Sequence, residues 1–471
     1  MRIYGFVDLS DPCLLAPVTI VTGPISWMLY VGMFLAAALS PLGSTMIAVA
    51  LPSISGELGI PSGTLTQWLV SSYLIVGIAC MSPFGKLGDV IGHQRSLVIG
   101  MTIYGVGSAA AYVFANLPSL ALARISMAAG GAMTVPATMA LLRNMVPPEK
   151  RPRTFGYFGS VMGTAAAIGP LLGGELTARF GWRAIFIGNI PVILMALTMI
   201  RFAGPRAPLL KTPKKARPRF DVEGSVLLAA SLTLLVLATQ IADARALWIG
   251  VTGVASLALF VVWERRTAEP VLDLRLYLRR AFAAGNAVIG LQNLAMYALL
   301  FQLPIFFEQV RGVERGVTGR TIIGMMIAMV VLAPFGGRLS ERIGARSTVF
   351  AGSLVTLSGI YMIGSFQSLN TPVDVLPGLI LLGAGLGLSS APSQAAAMTA
   401  VAPAEAGMAG GAISTARYIG GVIGISALGY LLKSNSTDTA HTTATFVYAG
   451  ALVIAAVWSL VLPGRNSVSG V

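Results

Sequence analysis

Apolar runs of about twenty residues follow one another along nearly the whole chain, separated by short polar turns. That length crosses the hydrocarbon layer of a bilayer once, as a helix. In lipid the backbone must satisfy its own hydrogen bonds, and an α-helix does so within one segment. Barrel strands would be roughly half as long and would alternate in polarity, which these runs do not. Only 11% of the 471 residues are charged, against about a quarter in a soluble globular protein. The expected fold class is therefore an all-α membrane protein.

Fourteen such runs can be counted. They divide the chain into an N-terminal segment (1–26), six spans (27–201), a basic loop (202–222), a pair of spans (223–264), a loop (265–280), six further spans (281–462) and a tail (463–471). Residues 1–26 show no clean charged, apolar and cleavage pattern of a signal peptide and read as a cytoplasmic lead-in. The net charge of +14 raises nucleic acid as a partner, but its placement argues against one. With both termini inside, 23 lysines and arginines fall in cytoplasmic segments and 7 in outer ones, which is the bias that orients membrane helices. Both termini are expected in the cytoplasm; short loops and the absence of eukaryotic targeting features suggest a bacterial inner membrane, an expectation that leans also on family resemblance. The run KTPKKARPR at 211–219 reads as a loop lying near anionic lipid. Of the two cysteines, Cys80 lies in an apolar run, so no disulfide framework is implied.

One polar turn occurs twice. GKLGDVIGHQR, from Gly85 to Arg95, is echoed by GRLSERIGAR, from Gly337 to Arg346. Each joins the second and third spans of a six-span unit, so the chain holds one bundle in two copies, with 223–264 as an extra pair between them. Parallel repeats around a central site are a transporter architecture. The first turn resembles the signature loop of the major facilitator superfamily. The resemblance implies a cytoplasmic gate built from Gly85, Asp89, Gly92 and Arg95 and from Gly337, Glu341, Gly344 and Arg346. Asp89 would cap a neighbouring helix and pair with a cation. GTAAAIGPLLGGEL, from Gly163 to Leu176, resembles the glycine-proline motif of antiporters, carried here by Gly163, Gly169, Pro170, Gly173 and Gly174. Small residues let helices approach closely, and Pro170 is expected to bend its helix. With GWRAIFIGNIPV after it, this motif is similar to the 14-span drug:proton antiporter branch. The fold then implied is two six-helix bundles plus two extra helices, working by alternating access.

The sequence departs from that branch in its first and fourth spans. Gly43 stands where the branch carries an aspartate and Ala48 where it carries an asparagine; Met127 and Ala128 replace a glutamine and a glycine. All 18 acids lie in loops, at span ends or in the N-terminal segment. Arg124 and Arg417 lie inside spans without an acidic partner in the sequence. Three readings stay open: proton coupling through an acid at a span end such as Glu175 or Asp89; arginines that attract an anionic substrate; or arginines bonded to carbonyls and glutamines. The function implied is export of small amphipathic molecules or drugs, with protons as the coupling ion. The alternatives are export of an anionic metabolite with atypical or no proton coupling, or a sensor that transports nothing.

Analogy with the family puts the substrate cavity between the bundles, lined by Ser44, Gln67, Trp68, Tyr73, Gln292, Asn293, Tyr297, Phe301, Gln302 and Gln394. Tyr418 and Ser414 lie near Arg417 in the same span, and Gln292, Tyr297 and Phe301 recur at near-helical spacing. No metalloprotease, P-loop or nucleophile-elbow motif is present, and the only histidines, His93 and His441, fall in expected loops. An enzyme is therefore not expected, nor a cofactor or metal site. The expected partners are a small molecule, protons and the lipid bilayer, with a periplasmic adaptor as a candidate and a monomer as the assembly.

Overall fold

The computed structural model describes residues 27–60, 65–114, 116–202, 221–240, 245–268, 270–313, 315–364, 368–431 and 438–464. The N-terminal segment, most of the basic loop and the tail lie outside them. Among the described residues, regular structure is helical. The first half holds α1 (Trp27–Leu58), α2 (Ser72–Ile91, entered through a π turn at Thr66–Ser71), α3 (His93–Val113), α4 (Leu117–Met145), α5 (Arg151–Phe180) and α6 (Asn189–Phe202). The extra pair is α7 (Val222–Gln240) and α8 (Arg245–Glu264). The second half holds α9 (Arg280–Gln309), α10 (Arg315–Ile343), α11 (Ala345–Ile363), α12 (Leu376–Thr399), α13 (Ala406–Leu431) and α14 (Asp438–Ser459).

Ten segments are long and apolar enough to cross a membrane, by length and composition. α5, α7, α11 and α13 fall outside that set: α7 carries only a shorter apolar stretch, Val222–Leu235, and α5, α11 and α13 are rich in glycine, serine and threonine. These are the residues that let transmembrane helices pack closely. The helix ends follow local chemistry. Asn116 accepts a hydrogen bond from the Ser119 amide at 3.0 Å to start α4. Asp221 accepts one from the Gly224 amide at 2.8 Å at the start of α7. Thr371 and Asp374 form a capping box ahead of α12.

The packing partners repeat between the halves. α1 packs on α5 and α6, and α4 on α2 and α3; likewise α9 packs on α13 and α14, and α12 on α10 and α11. Across the halves α2 packs on α13, and α10 on α5. Both glycine turns lie at one end of this seam, called here the latch end. The main apolar core crosses it there, joining Phe155 and Leu142 of the first half to Ala397, Met398, Met408 and Ile413 of the second. α7 and α8 sit over the α2–α13 seam, with Leu228, Leu232 and Phe260 against Ile75 and Ile78, and with Tyr418, Ile419 and Val422 packed on the same cluster. The outer face of α8 exposes Leu247, Trp248, Val251 and Val254, as a lipid-facing helix does.

Candidate functional site: a latch and two arginines

The latch is built from helix ends. α2 and α3 meet at Gly92, whose φ of 95° favours a residue without Cβ. Gly344, at φ 88°, makes the same turn between α10 and α11. Seven residues before each, a second glycine lets a helix start come close: a Cβ on Gly85 would collide with the Gly407 carbonyl, and one on Gly337 with the Pro152 carbonyl. Four residues after each close-approach glycine stands an acid, Asp89 and Glu341.

Here the copies part. Asp89 accepts hydrogen bonds from the backbone amides of Gly407 and Met408, both at 2.8 Å, at the first turn of α13. Its side chain is only 6% exposed and lies 3.4 Å from His93 Nε2. A carboxylate at a helix N-terminus satisfies orphan amides and complements the helix dipole. The cationic partner expected for Asp89 is absent among the described residues; the helix start takes that place. Glu341 is exposed. Its seam is held instead by Tyr157, which accepts from Arg153 Nε at 3.0 Å and Arg338 Nη2 at 3.3 Å, and by Ser160, which donates to the Val330 carbonyl at 2.7 Å. Arg95 is exposed, and Arg346 donates from Nε to the Leu462 carbonyl at 2.9 Å.

Arg143 is a latch residue that the sequence placed only among the cations of a turn. It is buried and donates to the carbonyls of Met398 (3.0 Å) and Val401 (2.6 Å), at the end of α12. A cation at a helix C-terminus is the counterpart of the Asp89 cap. Its signal in the sequence was an arginine in the last turn of a span.

The glycine-proline segment lies within α5. Gly169 packs against Thr45 and Gly173 against Met46, both of α1, while Gly163 packs against Val330 and Met329 of α10. Gly174 is half-buried, and the side chain of Pro170 lies outside the described residues. At the far end of α5, Trp182 donates to Glu57 at 2.6 Å and Arg183 pairs with it at 2.8 Å. The Trp182 hydrogen bond, with Arg183 beside it, holds the Glu57 carboxyl below its usual range. Glu175 is exposed and paired with Arg179 one turn on.

The two intramembrane arginines have different surroundings. Arg124 is fully buried; Nε donates to the Leu69 carbonyl at 3.0 Å and Nη1 to the Gly43 carbonyl at 3.1 Å. Its guanidinium lies 4.1 Å from the centroid of the Tyr73 ring, a cation–π contact. A Cβ on Gly43 would meet the Tyr104 hydroxyl, which donates to the Leu39 carbonyl at 2.8 Å. The space of the missing acid is thus filled by a tyrosine, and Arg124 is bonded to carbonyls. Arg417 is half-buried, and among the described residues no hydrogen bond or ion pair reaches its guanidinium. It lies eleven residues into α13, about 17 Å along the axis. A charge at the centre of a helix costs about 2.5–3.5 kcal/mol on insertion scales.

Between these arginines lies a chain of hydroxyls. Tyr73 donates to the Ser40 carbonyl at 2.9 Å and lies 3.4 Å from the Ser40 hydroxyl. Tyr418, from the other half, also lies near Ser40. Ser40 and Tyr104 were not singled out in the sequence, where each is one polar group within an apolar run.

The ten cavity candidates do not gather on one surface. Tyr73 belongs to the hydroxyl chain, and Tyr297 packs against Gly421 of α13. Ser44 donates to its own helix, at the Pro41 carbonyl (2.9 Å), and Asn293 to the Ile289 carbonyl (2.8 Å). Gln394 is buried and donates to Ser390. Two glutamines turn into the second bundle. Gln292 bridges Ser353 (3.2 Å) and Ser389 (3.0 Å), and Gln302 donates to the His441 carbonyl at 2.7 Å. Bonded to neighbours within their own bundle, they do not line a space between bundles, which also divides the face expected from Gln292, Tyr297 and Phe301. Trp68 and Phe301 are about half exposed. The side chain of Gln67 lies outside the described residues. His441 is buried in α14 and is not a loop residue.

The profile of the Major Facilitator Superfamily matches residues 33–425 and again 289–469. The chain is 29% identical to the riboflavin transporter RibZ of Clostridioides difficile, over 89% of this chain and 91% of that one. It is 32% identical to the multidrug resistance protein Stp of Mycobacterium tuberculosis, over 83% and 73% respectively. Among solved structures, the human organic anion transporter MFSD10 superposes with a TM-score of 0.67 at 16% identity, covering 93% of this chain and all of that one. Such a likeness carries the fold.

Proposed function

Because the chain belongs to the Major Facilitator Superfamily, we propose that this transporter exports small amphipathic molecules by alternating access, with protons as the counter-ion. The observation that carries the reading is the Asp89 cap on α13. It joins the two halves by two hydrogen bonds that can be broken and remade without unfolding either helix. With Arg143 on α12, it closes the latch end. With that end read as cytoplasmic from the bias of the cations, the closed latch fits an outward-facing conformation. Opening requires α13 and α12 to leave Asp89 and Arg143 while the opposite ends of the bundles approach.

The 14-span drug:proton antiporter branch accounts for α7 and α8, and for the glycines by which α5 reaches α1 and α10. Relatives named for drug resistance support export as the direction. Of the two acids weighed for coupling, Glu175 is held in an exposed ion pair, whereas Asp89 is buried between the halves. A proton on Asp89 would remove the charge that faces the α13 amides, which links protonation to opening.

The test is efflux of an amphipathic dye from proteoliposomes holding the purified protein, with and without an imposed pH gradient. Efflux that rises with an inward proton gradient is expected. Flux indifferent to both pH gradient and membrane potential would remove the proton, and no vectorial movement of any solute would remove the exporter.

A further inference from the structure

We propose that Arg417 is the anion-binding group of a pocket between the bundles, and that the ligand is an aromatic or amphipathic molecule bearing a carboxylate or sulfonate. The inference rests on the transport reading for its biological meaning but not for its chemistry. Gly410, Ser414, Arg417 and Gly421 fall on one face of α13, three or four residues apart. Gly410 lies against Pro136 and Met139 of α4, and Ser414 donates toward the Met139 sulfur at 3.7 Å. Gly421 lies against the Tyr297 ring of α9. Arg417 therefore faces the space between α4 of one bundle and α9 of the other.

Among the described residues no hydrogen bond or ion pair answers its charge. Arg124 shows what a structural arginine looks like in this fold: fully buried, with two carbonyls and a tyrosine face. Arg417 is only half-buried and lacks a hydrogen-bond partner among the described residues. No acid lies near the middle of any span to pair with it. A cation kept at membrane depth without a protein partner marks a place where a ligand supplies the counter-charge. The planar guanidinium matches a carboxylate through two parallel hydrogen bonds. Tyr297, whose ring lies against Gly421 on that same face of α13, gives a flat apolar body a surface to lie on.

The test measures binding to the full-length protein in detergent by fluorescence anisotropy. The probes are a diethylaminocoumarin carboxylate and its ethyl ester, which differ only in the charge. The wild-type protein should bind the acid roughly tenfold or more tightly than the ester. Arg417→Gln should abolish that preference and leave ester affinity within about twofold, and Arg417→Lys should keep part of it. Displacement of the coumarin acid by an arylsulfonate but not by inorganic sulfate would identify an organic anion site. Equal binding of acid and ester by the wild type, equal loss of both in Arg417→Gln, no binding of the acid, or displacement by sulfate alone would overturn the proposal. A preference that depends on Arg417 in a protein that moves nothing across vesicles would sink the export reading and leave the site standing. Export of the ester without binding of the acid would do the reverse.

Discussion

The turns at Gly85 and Gly337 share a backbone and differ in what their acids can reach. In both, a glycine brings the carbonyl of a helix from the other half into contact, and four residues later comes a carboxylate. The contacts align Gly407 with Pro152 and Met408 with Arg153. At the first seam both residues present an N–H, and Asp89 takes both. At the second, Pro152 has no N–H to give, and Glu341 stays in solvent while Tyr157 gathers two arginines. The steric interlock was kept in both copies, whereas the charge-assisted cap was kept in one. Two copies of one turn thus end in different bonding, a buried cap at one seam and an exposed carboxylate at the other.

The largest expected effect tests the shared part. Gly85→Val and Gly337→Val should each force the facing helix start away, at a cost of about 1–3 kcal/mol, and lower efflux by tenfold or more. If only one of them does so, the interlock is not common to the two seams. Next comes the part that differs. Asp89→Asn gives up charge-assisted hydrogen bonds that contribute roughly 1.5–3 kcal/mol. The closed latch should lose about tenfold or more in population. A cysteine placed at Ser414, in a cysteine-free background, should then react faster with an impermeant thiol reagent added at the latch end. Unchanged reactivity would deny Asp89 its role.

The same substitution in the other copy, Glu341→Gln, should shift reactivity by no more than about 0.5 kcal/mol, the usual range for an exposed side chain. The smallest effect is the most specific. Pro152→Ala restores an amide facing Glu341 and should strengthen closure by less than about 1 kcal/mol. That gain should vanish when Glu341→Gln is present. A gain independent of Glu341 would mean that proline rigidity, not the missing donor, sets the two seams apart.

The helices and the doubled turn were legible because lipid imposes a length and a polarity that soluble folds do not. The latch acid was legible through family resemblance, since an aspartate beside three glycines stands out in an apolar chain. The substrate surface was not. Gln292 and Gln302 look like cavity residues in sequence, but each helix has neighbours on several sides, and spacing along one helix does not say which neighbour a face meets. Ser353, Ser389 and the His441 carbonyl claimed them. The arginines show the same limit. Both read as isolated cations, and only the fold shows that bare backbone at Gly43 leaves a carbonyl open to Arg124 while, among the described residues, no carbonyl bonds to Arg417.

The cover that α7 and α8 make over the α2–α13 seam has a further consequence. Leu228, Leu232 and Phe260 cover it, so the pair stands between that joint and the surrounding acyl chains. The α5–α10 joint, where Gly156 and Gly163 lie against Ala333 and Val330, has no such shield from this pair. Under alternating access, a greasy solute diffusing within the bilayer plane would therefore meet a joint that this pair covers on one flank and a joint that it leaves uncovered on the other.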